Sequence, residues 1–306
     1  MKTNALVRIV IYSLVIILLL GILMAGIGWN LFSFRRASIR TDSSSTEVSE
    51  PDSAALENIV LSPEGLRSIK IDWAAGSIVV EPTDGSEIQL FESAAQGSEP
   101  MVVKQSGSEL KIAFSKSPGN LGKSLKKDLH IALPGDWECG KLEVDAASAA
   151  VSLRELNCGE VDINTASGRC DMTDCKIGSI DMESASGDLC FSGQLEELDF
   201  EGVSARADIS VFNTPSRIEM ESVSGDVTLT LPRDCGFRVK RDSISGGFQC
   251  DFETTKEDGC HVYGDGSCRI DVSGVSSRLT IHSHAEDSAH HGDSTEFTFH
   301  HSEEHS

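Results

Sequence analysis

Aromatic residues are scarce: they make up 6% of the chain, with two Tyr and three Trp. That excludes a core built on large rings and leaves one assembled from small and β-branched side chains. Positive charge is scarce too. Lys and Arg total 26 against 48 Asp and Glu, for a formal net charge of -22 and a pI near 4.7. This balance excludes nucleic acid or an anionic membrane surface as the main partner. The nine cysteines include no C-x-x-C and their number is odd, so a structural zinc site has no support. No catalytic constellation of nucleophile, base and orienting acid occurs anywhere in the 306 residues.

One stretch lacks charge altogether. Between Arg8 and Arg35 there is no charged residue, and "IVIYSLVIILLLGILMAGIGW" is nearly all Leu, Ile, Val and Gly. A run of that length crosses the ~30 Å hydrocarbon layer as a helix, so residues 1–36 read as a single-pass anchor. A cleaved signal peptide fits less well, because the run exceeds an ordinary h-region and "LMAG" is a poor cleavage site. No Cys directly follows the run, which excludes a lipoprotein anchor. Lys2 and Arg8 precede the segment while Arg35, Arg36 and Arg40 follow it, so the positive-inside count does not choose an orientation. Residues 37–56, rich in Ser, Thr and acid, read as a flexible linker. At the other end, residues 283–306 form a His-rich acidic tail, and seven of the nine His lie between His282 and Ser306.

Between these segments the chain repeats. Ser148, Ser167, Ser186, Ser204, Ser224 and Ser245 are spaced by 19, 19, 18, 20 and 21 residues, with a later copy at Ser276 and a divergent early one at Ala75. Before each corner come apolar pairs such as Leu142/Val144, Val161/Ile163, Ile180/Met182 and Leu198/Phe200; after it come Val151/Leu153, Cys170/Met172 and Leu189/Phe191. Both arms alternate with period two, the mark of strands with one face on a core. The Ser-Gly between them is a bend whose Gly permits a positive φ; at 204–206 "SAR" replaces it, which predicts a wider or strained corner. A two-strand rung cannot bury its apolar face alone, but rungs stacked at ~4.8 Å can. The expected fold is therefore an all-β, parallel β-solenoid of ~19-residue rungs with successive corners directly superposed. It spans residues 57–282, with a strand-rich N-terminal cap over 78–137, regular rungs over 138–255, and a hairpin with the last rung over 256–282.

The iterated "TASG", "SASGDL", "SVSGDVTLTLP" and "SISGGF", followed by "YGDGSCRIDV", resemble the bacterial adhesin-like β-solenoid family, a large family of domains of unknown function. The resemblance covers residues 57–282. It implies a membrane-tethered, extracytoplasmic protein of Gram-positive type, and some relatives are linked to sensing of envelope stress. It carries no catalytic residues. Two function classes follow: a cell-surface binding module, or a sensor or scaffold acting through another membrane protein.

The outward positions carry the chemistry. Five residues before the corners stand Glu143, Asp162, Asp181, Asp199 and Glu219; three before stand Asp145, Asn164, Glu183, Glu201, Glu221 and Asp242. Stacked in register, like charges ~5 Å apart repel by about 0.8 kcal/mol per neighbouring pair in water. The plain reading is a solvated, anti-aggregating face. The sharper one is a surface for a divalent cation such as Ca²⁺, a cationic cell-envelope polymer or a basic protein partner. Parallel β-helix lyases and hydrolases gather Asp with Arg or Lys on one face. Here the files contain no His, and "KRD" at 240–242 is the nearest basic intrusion, so binding is expected rather than turnover. No cofactor is expected beyond such a cation.

Cys170 and Cys250 fall on inward positions and read as small apolar fillers. Cys139 and Cys158 each precede a corner by nine residues, hence stack, and are within disulfide reach. Cys260 and Cys268 bracket "HVYGDGS" and form a second candidate pair. In the tail, His290, His291, His300 and His301 with neighbouring acids suit Zn²⁺ or Ni²⁺, or a soluble pH-responsive extension.

Overall fold

The computed structural model describes residues 53–95, 98–115 and 126–284, and every regular element among them is a strand. The anchor and most of the tail lie outside the described residues, as do His290, His291, His300 and His301; among the described residues no helix is long and apolar enough to cross a membrane. In chain order the strands are β1 (Ser53–Leu61), β2 (Ser68–Thr83), β3 (Ile88–Ala95), β4 (Val102–Ser106), β5 (Glu109–Ala113) and β6 (Lys127–Pro134). There follow β7 (Cys139–Arg154), β8 (Asn157–Thr165), β9 (Cys170–Ser184), β10 (Leu189–Ser204), β11 (Ala207–Val211) and β12 (Arg217–Leu231). The C-terminal set is β13 (Phe237–Ser245), β14 (Phe248–Cys250), β15 (Thr255–Glu257), β16 (Cys260–Tyr263) and β17 (Cys268–Ser283).

The alternating arms stack in parallel, as the period requires. Leu142 of β7 pairs with Val161 of β8, Val161 with Ile180 of β9, Ile180 with Leu198 of β10, and Leu198 with Ile218 of β12. All five are at most 1% exposed. After the corner a second file runs from Val151 through Cys170, Leu189 and Ala207 to Val227, again buried. Each such Val, Leu or Ile contributes about 1.5–3 kcal/mol by leaving water, so the interior files are the main source of cohesion. Gly168 meets the expected left-handed corner, at φ 143°. The "SAR" corner is not strained in this way: none of Ser204, Ala205 and Arg206 has a positive φ, and the Ala205 side chain is buried against the stack.

The stacking order departs from sequence order at both ends. β12 pairs with β17, not β13, and β13 lies on the far side of β17. Ser276 thus sits over Ser224, and Ser245 over Ser276, so the expectation of directly superposed successive corners fails here. Side-chain chemistry explains the exchange. β17 brings Ile270, Val272, Leu279 and Ile281, all buried, and suits an interior slot. The rung of β13 and β14 carries Arg241 in line with Val272, and its Phe248 and Cys250 are partly exposed. Arg241 lies 5.6 Å from the centre of the Phe248 ring, and the His261 ring packs against it at a tilt, 4.6 Å between centres. A charge pointing inward at the last rung opposes further stacking.

The N-terminal end repeats the device. β2, with Ile69, Ile71, Ile78 and Val80 buried, lies between β7 on one side and β5 and β6 on the other. Antiparallel strands cover the outer edges: β4 on β5, β3 on β6, and β1 on β3. The cap is thus larger than the sequence predicts. Residues 53–56, assigned above to the linker, are strand, with Ser53 opposite Ala95, because the exposed edge of β3 offers them hydrogen-bonding partners.

One buried ion pair pins this cap. Lys127, 3% exposed, donates to Glu92, 1% exposed, at 2.8 Å; Glu92 also accepts the Met101 N–H at 2.7 Å, and the Lys127 ammonium lies 4.6 Å from the Phe114 ring centre. The Lys127 carbonyl accepts the Trp73 indole N–H at 3.0 Å. Removing one partner strands the other charge away from water. Lys127→Met is expected to cost about 3–5 kcal/mol in urea denaturation, and adding Glu92→Gln should recover part of that loss.

A carboxylate-lined face and its neighbouring groove

In-register pairing converts the outward acids into files. The first runs Lys70, Glu143, Asp162, Asp181, Asp199, Glu219, Asp271, Lys240, every neighbour a register partner. All five predicted positions therefore stand in one line, with Asp271 as a further carboxylate and a lysine at each end. The second file runs Asp72, Asp145, Asn164, Glu183, Glu201, Glu221, Ser273, Asp242.

Compensation is concentrated at the margins. Lys70 holds Glu143 and Asp145, and these two carboxylates keep its ammonium protonated well above the ordinary lysine range despite partial burial. Asn164 donates to Asp145 and Asp162 at 3.2 Å each, and Lys141 reaches Glu160 at 2.7 Å and Asp162 at 3.3 Å. At the other end Arg217 meets Glu219 at 2.7 Å and Asp199 at 3.8 Å, while Arg269 pairs with Asp271. Between these lie Asp181, Glu183 and Glu201, which among the described residues have no basic partner within ion-pair distance.

That centre resists ionisation. Half-burial comes first, and the neighbouring carboxylates add to it: Asp181, Glu183, Asp199 and Glu221 are all pushed above the usual carboxylate range. Glu201 is pushed up to about 7 by half-burial, then by Glu221, Glu183, Asp199 and Asp181. The acids form a linear array with the strand spacing rather than a shell around one point. Among the described residues no three or more His, Cys, Asp and Glu converge in a way that would hold a metal ion.

A groove of about 360 Å³ lies beside this face, around the strand starts. Its floor is the glycine file Gly140, Gly159 and Gly178, and its walls include Arg67, Asn157, Lys176 and Gln194. The rungs approach so closely there that a Cβ on Gly178 would stand 2.5 Å from the Gly159 carbonyl oxygen. The three glycines each precede a corner serine by eight residues, a regularity legible in the sequence.

The cysteines sort differently from expectation in one case. Cys139 and Cys158 are register partners in hydrogen-bond contact, as predicted, and the Cys158 thiol also reaches the Glu160 carbonyl oxygen at 3.0 Å. Cys268 meets Cys235 instead of Cys260, because its backbone is tied beside Gly236 while Cys260 sits partly exposed at the β15–β16 turn. All nine are free thiols in this structure. Burial pushes Cys170 up to about 12 and Cys175 up to about 11, consistent with inert fillers. The histidines at the junction with the tail are held by the solenoid: His282 of β17 meets Asp251 at 2.9 Å, holding that carboxyl below its usual range, and His284 meets the Val211 carbonyl oxygen at 2.8 Å.

Residues 66–214, from just before β2 to just past β11, match the Toastrack DUF4097 family. No curated protein matches the chain. Among solved structures, a "putative cell adhesion protein" from Clostridium sporogenes is similar at 12% identity and a TM-score of 0.40, covering 77% of this chain and 100% of the other. A "putative adhesin" from Bacteroides fragilis is similar at 12% identity and a TM-score of 0.48, covering 73% and 96%. One from Parabacteroides merdae has 11% identity and a TM-score of 0.41, covering 73% and 95%.

The raised carboxylates fix a direction of pH dependence. Glu201 binds its proton more tightly folded than unfolded, so its contribution to stability is complete below the ordinary glutamate value of 4.5 and is lost as pH rises through about 7. Melting temperature should therefore rise as pH falls from about 8 to about 5.5, above the range in which the marginal ion pairs lose their charge. Glu201→Gln should raise it at pH 8 by roughly 3 °C, about 1 kcal/mol after allowing for solvent screening of a half-exposed group, and flatten the pH profile. A melting curve indifferent to pH in that window would contradict the account of the file.

Proposed function

We propose that this chain is a membrane-anchored, extracytoplasmic, adhesin-like binding protein, without enzymatic activity, whose acidic face receives a cationic polymer or the basic segment of a partner protein. The observation that carries the reading is the pair of carboxylate files, in which Asp181 of the first and Glu183 and Glu201 of the second have no ion-pair partner among the described residues. Each central carboxylate is repelled by its neighbours and half withdrawn from water, so an incoming cation relieves energy already stored in the fold. The linear spacing favours repeated positive charge over a single chelated ion. A basic ligand laid along the stack meets one acid per rung, an arrangement suited to avidity. The uncharged run between Arg8 and Arg35 supports a bilayer anchor.

Poly-L-lysine titrated against the protein should bind, with affinity falling steeply as ionic strength rises from about 0.01 to about 0.1 M and the screening length shrinks from about 30 to about 10 Å. The variant Asp181→Asn/Glu183→Gln/Glu201→Gln should bind at least tenfold more weakly and be at least as stable. Undiminished binding by that variant would remove the face from consideration.

A further inference from the structure

The inverted stacking order at the C-terminal end has a thiol pair at its root. After β12 the chain turns through residues 232–236, builds the outermost rung from β13 and β14, and makes the β15–β16 hairpin. Only then does it return as β17, into the slot between β12 and β13. Cys235 stands where this excursion begins and Cys268 where it ends. The Cys268 N–H donates to the Gly236 carbonyl oxygen at 2.9 Å, the Ser267 hydroxyl donates to the same oxygen at 3.1 Å, and Cys268 is the register partner of Phe237. Both cysteines are fully buried, and their side chains are in hydrogen-bond contact. The backbone tie from Cys268 to Gly236, the neighbour of Cys235, brings the two thiols together as a disulfide requires.

We propose that Cys235 and Cys268 are a disulfide site, and that the bond covalently closes the excursion and locks β17 into its interior slot. The oxidant is of the disulfide class, either a thiol–disulfide oxidoreductase or a small-molecule disulfide. The Cys235 thiolate attacks one sulfur of the oxidant, forming a mixed disulfide and expelling one oxidant thiolate. The Cys268 thiolate then attacks the Cys235 sulfur and expels the other. The two cysteines lose two protons and two electrons, and the oxidant is reduced to two thiols. Because both thiols are enclosed once β17 is seated, the exchange takes place while the rung is docking.

The pair differs in consequence from Cys139 and Cys158. Those two join rungs already consecutive in sequence, whereas Cys235 and Cys268 close the longer detour in which chain order and stacking order disagree. A crosslink over a longer loop removes more freedom from the unfolded chain.

The full chain is refolded in a glutathione redox buffer, quenched in acid, unfolded, alkylated and digested with trypsin without reduction. Peptide 234–238 should be found joined to peptide 257–269, with Cys260 alkylated within the latter. Oxidised protein should melt roughly 10 °C above the same protein after reduction, and Cys235→Ala should remove that part of the shift. Recovery of Cys235 and Cys268 both alkylated from oxidised, folded protein would overturn the proposal, as would a link from Cys235 to Cys260. Peptide mapping of the wild-type chain decides the matter even if Cys235→Ala does not fold.

Discussion

In-register parallel hydrogen bonding is the constraint on which the rest of this molecule depends. Once one rung aligns with the next at the backbone, every side chain is forced into a file with its equivalents above and below. The same rule that lines up Leu142, Val161, Ile180, Leu198 and Ile218 into a dry interior also lines up Asp162, Asp181 and Asp199 outside. Cohesion and repulsion are thus two results of one register. The interior files outweigh the exterior ones because burial of each aliphatic side chain contributes about 1.5–3 kcal/mol, against about 0.8 kcal/mol for a pair of like charges at the strand spacing in water.

A stack of this kind has two ends, and each end must stop. Here both solve the problem by keeping the most apolar coil inside and sending a less regular one to the outside. At one end antiparallel strands and the buried Lys127–Glu92 pair complete the cap; at the other, Arg241 turns a charge toward the core opening and rests on Phe248. The cost is a chain that must fold out of order, placing β17 after β13 but beneath it. The thiols of Cys235 and Cys268 meet where that detour closes.

The acidic face gains its character from unequal compensation rather than from acidity as such. Lys70, Lys141, Arg217 and Arg269 hold the flanking carboxylates in defined pairs, which leaves the uncompensated charge in one place. Half-burial then raises the cost of ionising Asp181, Glu183 and Glu201. A surface that is acidic all over would be soluble and indifferent. One that is neutralised at its borders keeps its electrostatic cost at its centre.

Much of this was legible in the sequence, and the limit has a physical cause. Period two within each arm and the near-constant spacing of Ser148, Ser167, Ser186, Ser204 and Ser224 determined the rungs, the buried files and the membership of the main carboxylate file, because these follow from local alternation and a fixed repeat. The glycines at 140, 159 and 178 carried an equally regular signal for the groove. Tertiary structure alone decided that Ser276 lies between Ser224 and Ser245, that Lys70 and Lys240 bracket the acids, and that Cys268 meets Cys235. Those are choices between rungs of nearly identical backbone geometry, settled by which coil buries more apolar surface and which can tolerate an edge. A repeat states that coils stack; it does not state the order in which nearly equivalent coils minimise their exposed ends.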